Sequence, residues 1–314
     1  MVWPGACVKV RLKSNQSLVL VIPCVSDYLS DMKKFITNLI PKRFRRSRVV
    51  IPVVKLNGAI AATRRGLSLD NIGSSLDKAF AKPATKAVAL AINSPGGSPV
   101  QSALIHDRIR QLAAKNDIQV LVFCEDVAAS GGYWLATAGD EIYANTSSII
   151  GSIGVIASGF GFVKAIEKLG VERRVYTAGK NKSILDPFKP ENKADIDRLK
   201  NLHLEIHQGF IDQVKARRGD ALVEDKDMFT GAFWTGGKAK DLGLIDGLGN
   251  MHDVLVEKFG PEVELKVFDR SSGLLSKLGF ASRLDLGRLN IAEGLGEDVI
   301  DSLETRALWQ RYGL

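Results

Sequence analysis

Three short apolar runs, at residues 49–56, 88–92 and 120–123, limit what this chain can fold into. Each is too short for an independent helix and ends at or near a turn signal, which is how a strand buried in a parallel sheet reads. The first, VVIPVVKL, is rich in β-branched residues and stops at Asn57-Gly58. The second stops at Asn93-Ser94-Pro95-Gly96-Gly97. The third leads to Ala128-Ala129-Ser130-Gly131-Gly132-Tyr133-Trp134. Between them, residues 69–82 and 99–114 read as helices, the latter with Leu104, Ile105, Ile109 and Leu112 on one side. Further along, 130–138 reads as a small-residue helix and 195–217 as a long polar one. Residues 141–144, 174–177 and 263–268 read as strands. Strand and helix in this rhythm imply right-handed βαβ crossovers, hence an α/β fold with a mostly parallel sheet.

In an open parallel sheet the loops at the carboxyl ends of the strands face the ligand crevice, so both glycine turns belong on one rim. Glycines there bring backbone amides close to a ligand. Ser130 stands at the head of a helix, where nearby amides can hold a developing oxyanion. It also has the plain reading of a helix N-cap, which serine often fills. A nucleophilic serine needs a base. His106, His203 and His207 fall within expected helices and His252 follows a glycine turn, so all four read as surface residues and a Ser-His-Asp triad is disfavoured. A lysine can serve if burial lowers its pKa. Lys180 and Lys182, in TAGKNKSILDPF, are the candidates, and composition leaves the choice between them open. The S-x-x-K spelling of Ser75 to Lys78 sits in a polar helix without companion signatures and is chance.

Lys and Arg number 43 against 35 Asp and Glu, a net charge of +8, and part of the surplus is concentrated. Lys33, Lys34, Lys42, Arg43, Arg45, Arg46 and Arg48 have no acid among them, and Phe35, Ile36, Leu39 and Ile40 lie beside them at helical spacing. This basic amphipathic stretch fits an anionic membrane surface or a leader packed on the domain. No aromatic-rich basic face points to nucleic acid. Residues 1–31 carry no clean period, and Met32 reads as a natural start. No apolar run reaches the length of a membrane span, and no cleavable signal is expected. Cys7, Cys24 and Cys124 are an odd count without metal-ligand spacing, so no disulfide framework or zinc site is expected. The expected organisation is a leader over 1–48, a main domain over 49–260 and an extension over 261–314.

The segments INSPGGSP, VAASGGYWLATAGDEIYAN, GSIGV, KSILDPF and FWTGGKAKDLGLID, in that order, resemble the signal peptide peptidase A and SohB family of serine peptidases. The resemblance implies a ClpP/crotonase-like fold and a single-domain member of the family. It implies Ser130 as nucleophile, Lys182 as general base, Ser152 as the serine that orients the lysine, and the Gly97 and Gly131 amides as the oxyanion hole. It further implies that no cofactor is used, that the substrates are apolar peptides such as cleaved signal peptides or membrane-protein fragments, and that the chain assembles into a homo-oligomeric ring with dyads completed in or near subunit contacts. Many members carry a membrane anchor; none is expected here, which leaves a cytoplasmic or peripheral location. A crotonase-type acyl-CoA enzyme and a non-enzymatic membrane-associated scaffold are the rival readings.

Overall fold

The computed structural model describes residues 8–11, 17–20, 49–81, 87–268 and 305–313. The chain forms two units, Met1–Val49 and Val50–Leu314. In the first, strands β1 (Val8–Arg11) and β2 (Ser17–Leu20) pair antiparallel, with Val8 opposite Leu20. The sequence reading found no structure in residues 1–31, because four-residue strands are too short to display a period. The basic amphipathic stretch over 32–48 lies outside the described residues.

The second unit is built on an eight-stranded sheet. Its strands are β3 (Val50–Asn57), β4 (Ala87–Ser94), β5 (Gln119–Ala129), β6 (Glu141–Ala144), β7 (Ile149–Gly151), β8 (Phe233–Thr235), β9 (Gly247–Leu248) and β10 (Glu264–Phe268). In space they run β10-β3-β4-β5-β6-β9, parallel throughout. The sheet therefore continues past Gly260, since β10 pairs with β3. The long strand β5 changes partners along its length. Leu121 to Cys124 pair with β6, and Val127 to Ala129 pair with β7, which in turn pairs antiparallel with β8.

Helices α1 (Leu69–Phe80), α2 (Pro99–Asn116) and α3 (Gly131–Ala136) make the first three crossovers. The local code explains where they begin. Ser68 caps α1 by accepting from Asn71 N, and Ser98 caps α2 with Pro99 at its first turn. Ile72 and Leu76 of α1, Ile105 and Ile109 of α2 and Leu135 of α3 pack on one face of the sheet. Phe210 and Val214, from α5 (Lys193–Arg218), join them there. Each fully buried side chain of this kind contributes about 1.5–3 kcal/mol, so a charge at Ile109 would unseat α2. The opposite face, with Ile51, Val53, Leu121 and Phe123, is covered by Val254 and Leu255 of α7 (Met251–Phe259). Helix α6 (Gly236–Asp241) lies between β8 and β9.

One stretch departs from this packing. From 154 to 209 no residue is buried, although α4 (Val163–Lys168) and much of α5 lie within it. The strand expected at 174–177 is not formed. Tyr176 is 91% exposed, and alternation creates a strand only where a sheet edge or a core face can receive it.

A candidate active site at the carboxyl ends of three strands

The register of the sheet gathers the site. Ser94 of β4 is opposite Ala128 of β5, and Ala129 is opposite Gly151 of β7. The residues that follow these strand ends, Gly96-Gly97, Ser130-Gly131 and Ser152, therefore emerge on one rim.

Ser130 turns sharply between β5 and α3, with φ 53° and ψ −124°. A side chain in that region costs on the order of 1–3 kcal/mol and persists only where the surroundings impose it. Here the Ser130 amide donates to Gly151 O at 2.8 Å, and its carbonyl accepts from Tyr133 and Trp134 amides at 2.9 and 3.0 Å. The side chain makes no capping hydrogen bond, so the N-cap reading fails. Gly96 lies so close that a Cβ on it would stand 2.7 Å from Ser130 Cβ and 2.9 Å from Gly131 N.

Gly97 has φ 141°, and a Cβ there would come within 2.1 Å of Ile60 O. The neighbouring peptide groups clamp Ile60, whose amide donates to Gly96 O at 2.8 Å and whose carbonyl accepts from Ser98 N at 2.7 Å. Among the described residues, neither the Gly97 nor the Gly131 amide has a hydrogen-bond acceptor. A Cβ on Gly131 would lie 3.4 Å from Gly97 N, so the two amides flank one small space beside Ser130. Two free amides converging next to a serine can stabilise an oxyanion.

Polar residues at the end of β4 hold this arrangement, and the sequence reading passed over them as turn residues. Ser94, fully buried, donates to Gly58 O at 2.7 Å and accepts from the Gly96 amide at 3.2 Å. Asn93 accepts from Val127 N and donates to Asp126, where β5 shifts register against β4. Beneath α3, the buried Tyr133 hydroxyl donates to Leu244 O at 2.7 Å. Burial in an apolar strand end is the sign that would have singled out Ser94, and it is not visible in one sequence; Asn93 is only half-buried.

Ser152 is 4% exposed, has φ 54°, and donates its amide to Ala232 O at 2.7 Å. Its Oγ lies 3.3 Å from the Tyr312 hydroxyl. The structure thus brings Ser130, Gly131, Gly97 and Ser152 together. Lys182 is not with them. It is exposed on a turn in the unburied stretch, as is Lys180, and among the described residues its ammonium has no hydrogen-bond or ion-pair partner. The turn itself is well tied. Asp186 accepts from Phe188 N at 3.0 Å and from Arg173 Nε at 3.1 Å, and these contacts, the Phe188 amide first, hold its carboxyl below the ordinary range.

The histidines divide differently from expectation. His106 is buried, not on the surface, because α5 covers that side of α2. Its Nδ1 lies 3.0 Å from Asp107 Oδ1 and its Nε2 2.8 Å from Gln213 Nε2, and burial lowers its pKa. His207 is half-buried, with Nε2 3.1 Å from Ile153 O. His252 is exposed beside Asp253. None of the hydrogen bonds of these three histidines involves Ser130. Ser75 is buried and Lys78 exposed, so the S-x-x-K spelling forms no site. Cys124 is a buried free thiol whose pKa desolvation pushes up to about 12.

A sequence profile of peptidase family S49 matches residues 113–264, and one of Clp protease matches residues 72–151. With the topology above, the fold is ClpP/crotonase-like. A candidate protease of Synechocystis is 32% identical over 66% of this chain and 72% of its own length. One of Methanocaldococcus jannaschii is 31% identical over 71% of each chain. A Brucella melitensis protein named as a Na(+)/H(+) antiporter is 53% identical over 88% of this chain, which spans only 38% of that protein's length. Among solved structures, a mutant of the membrane-bound stomatin-specific protease 1510-N aligns with a TM-score of 0.45 at 17% identity, covering 71% of this chain and 98% of its own.

Proposed function

The chain belongs to peptidase family S49, and on that premise we propose that it is a serine peptidase working through a Ser130/Lys182 dyad. The observation that carries this reading is the strained, uncapped Ser130 standing beside the two unpaired amides of Gly97 and Gly131. Neutral Lys182 takes the Ser130 proton as the hydroxyl attacks a peptide carbonyl. The Gly97 and Gly131 amides hold the oxyanion, the amine leaves with the proton returned by Lys182, and water releases the acyl group by the same steps. Ser152 hydrogen-bonds the lysine and fixes its position. The substrates are apolar peptides such as cleaved signal peptides or membrane-protein fragments, as the family resemblance suggests.

A lysine must be desolvated to be neutral near pH 7. In the isolated chain Lys182 is exposed, and the stretch around it displays Phe160, Leu169, Tyr176 and Leu204 to solvent. Assembly of copies into a homo-oligomeric ring would bury these side chains and carry Lys182 to a Ser152. Among the described residues no helix is long and apolar enough to cross a membrane. Attachment to an anionic membrane surface would fall to Lys33, Lys34, Lys42, Arg43, Arg45, Arg46 and Arg48.

Labelling by a serine-reactive fluorophosphonate tests the chemistry. Wild type and Lys180→Ala should label, Ser130→Ala and Lys182→Ala should not, and the rate should rise with pH as the lysine loses its proton. Labelling that survives in Ser130→Ala, or a flat pH profile, overturns the dyad. Stable acyl-CoA binding without labelling would favour the crotonase-type reading instead.

A further inference from the structure

The turn that carries Lys182 is closed at its base by side chains of its own stretch. Arg173 Nε donates to Asp186 Oδ2 at 3.1 Å, which joins the two ends of residues 174–185. The Asp186 side chain is only 4% exposed, in a stretch where no residue as a whole is buried. Its other oxygen accepts from the Phe188 amide at 3.0 Å. The Arg173 guanidinium also lies over the Phe188 ring, 4.8 Å from its centre. Phe188 in turn meets Phe162 at 5.5 Å, and the Phe162 amide, at the head of α4, donates to Pro187 O at 2.6 Å. Within the closed segment Lys182 N donates to Gly179 O at 3.2 Å, and Leu185 takes φ 55° just before Asp186. A Cβ on Gly179, at φ 106°, would stand 3.3 Å from Lys182 Cγ.

We propose that Arg173 and Asp186 are positioning residues of the peptidase reaction: their ion pair, stacked on Phe188, closes residues 174–185 into a preformed loop that presents Lys182 to the serine side of the site. The inference rests on the dyad reading. A lysine on an open segment of this length samples many backbone conformations, and seating it would cost that freedom. A loop with joined ends, packed by its own side chains, has given up much of it beforehand. Arginine suits the base of the loop because its planar guanidinium pairs with a carboxylate and stacks on a ring at once, which a lysine does not do. The Arg173 side chain is 41% exposed, so the pair touches water and adds little to the stability of the fold; its contribution is to shape. The Phe188 amide first, and then Arg173 and Lys189, hold the Asp186 carboxyl below the ordinary range, so it stays ionised wherever a lysine loses its proton.

The experiment follows fluorophosphonate labelling of Ser130 against pH in wild type, Asp186→Asn, Asp186→Ala, Arg173→Lys, Arg173→Ala and the double variant Arg173→Ala/Asp186→Ala, with Lys182→Ala as control. A lysine that is seated and desolvated for less of the time needs a higher pH to be neutral. Asp186→Ala and Arg173→Ala should therefore label about tenfold more slowly at pH 7, with the midpoint of the pH profile raised by about one unit and the rate recovered at alkaline pH. The double variant should cost no more than either single one, since both remove the same pair. Asp186→Asn, which can still accept from the Phe188 amide, should fall between wild type and Asp186→Ala, and Arg173→Lys should not restore the rate. Tm should stay within about 2 °C of wild type throughout. A fall of equal size at every pH, with the midpoint unmoved, would make the clamp merely structural and overturn the proposal. Unchanged labelling in Asp186→Ala and Arg173→Ala while Lys182→Ala is silent would overturn it and leave the dyad standing. Lys182→Ala labelling like wild type would instead sink the dyad reading, and the proposal with it.

Discussion

Ser130→Gly and Ser130→Ala should both lose fluorophosphonate labelling, but only Ser130→Gly should make this protein more stable. The two variants remove the same hydroxyl, which makes no capping bond, so its loss costs the fold little. They differ at Cβ. At φ 53° and ψ −124° a Cβ costs on the order of 1–3 kcal/mol, and glycine relieves that strain. Against it stands the greater freedom of glycine in the unfolded chain, about 0.5–1 kcal/mol. The net is about 1 kcal/mol in favour of Ser130→Gly, or about 2–4 °C in Tm for a domain of this size. Ser130→Ala keeps the Cβ and should stay within about 0.5 kcal/mol of wild type. Scanning calorimetry of the three proteins at one concentration reads the difference, with concentration matched because assembly would shift Tm. A Tm for Ser130→Gly at or below that of Ser130→Ala would refute the claim that strain is stored at this residue.

Gly97→Ala should cost about 2–4 kcal/mol in urea unfolding, since its Cβ meets Ile60 O at 2.1 Å and threatens both hydrogen bonds of Ile60. Gly58→Ala, also at positive φ but with nothing within 4 Å, should cost only about 1 kcal/mol, and equal losses would sink the steric argument. Stability should fall as pH drops below about 6.5, because burial lowers the folded-state pKa of His106 and the unfolded chain takes up the proton first. His106→Gln should flatten Tm between pH 7.5 and 5, and an unchanged slope would show that His106 is not the group responsible.

Much of this architecture was legible because buried parallel strands write themselves as short apolar runs. The runs at 49–56, 88–92 and 120–123 became β3, β4 and β5, and the two turns beyond β4 and β5 came together as the rule for parallel sheets requires. Strands β7 and β8 were missed because three residues hold no period, yet β7 is what sets Ser152 beside Ser130. The strand reading at 174–177 misled because local composition does not report whether a sheet edge or core face is there to receive it. His106 was misplaced for the converse reason: its burial depends on α5, more than a hundred residues later. The preference for Lys182 over Lys180 came from family resemblance, and within one chain both stand in solvent. Tyr312, whose hydroxyl lies 3.3 Å from Ser152 Oγ, was not singled out, because it falls in the stretch read only as an extension over 261–314.

Strand β5 gives its first half to β6 and its last three residues to β7, with β4 along its other edge. Exposing the backbone at Ser130 therefore requires separating the most enclosed strand from its neighbours, an opening whose free energy approaches that of global unfolding. The turn bearing Lys182 belongs to the opposite extreme, where few apolar contacts resist local opening. Amide hydrogen exchange should accordingly be slowest at Val127 to Ala129 and among the fastest over 176–183. As the protein is warmed, the turn bearing Lys182 would be lost first, over a range of temperature in which the rim bearing Ser130 is still folded.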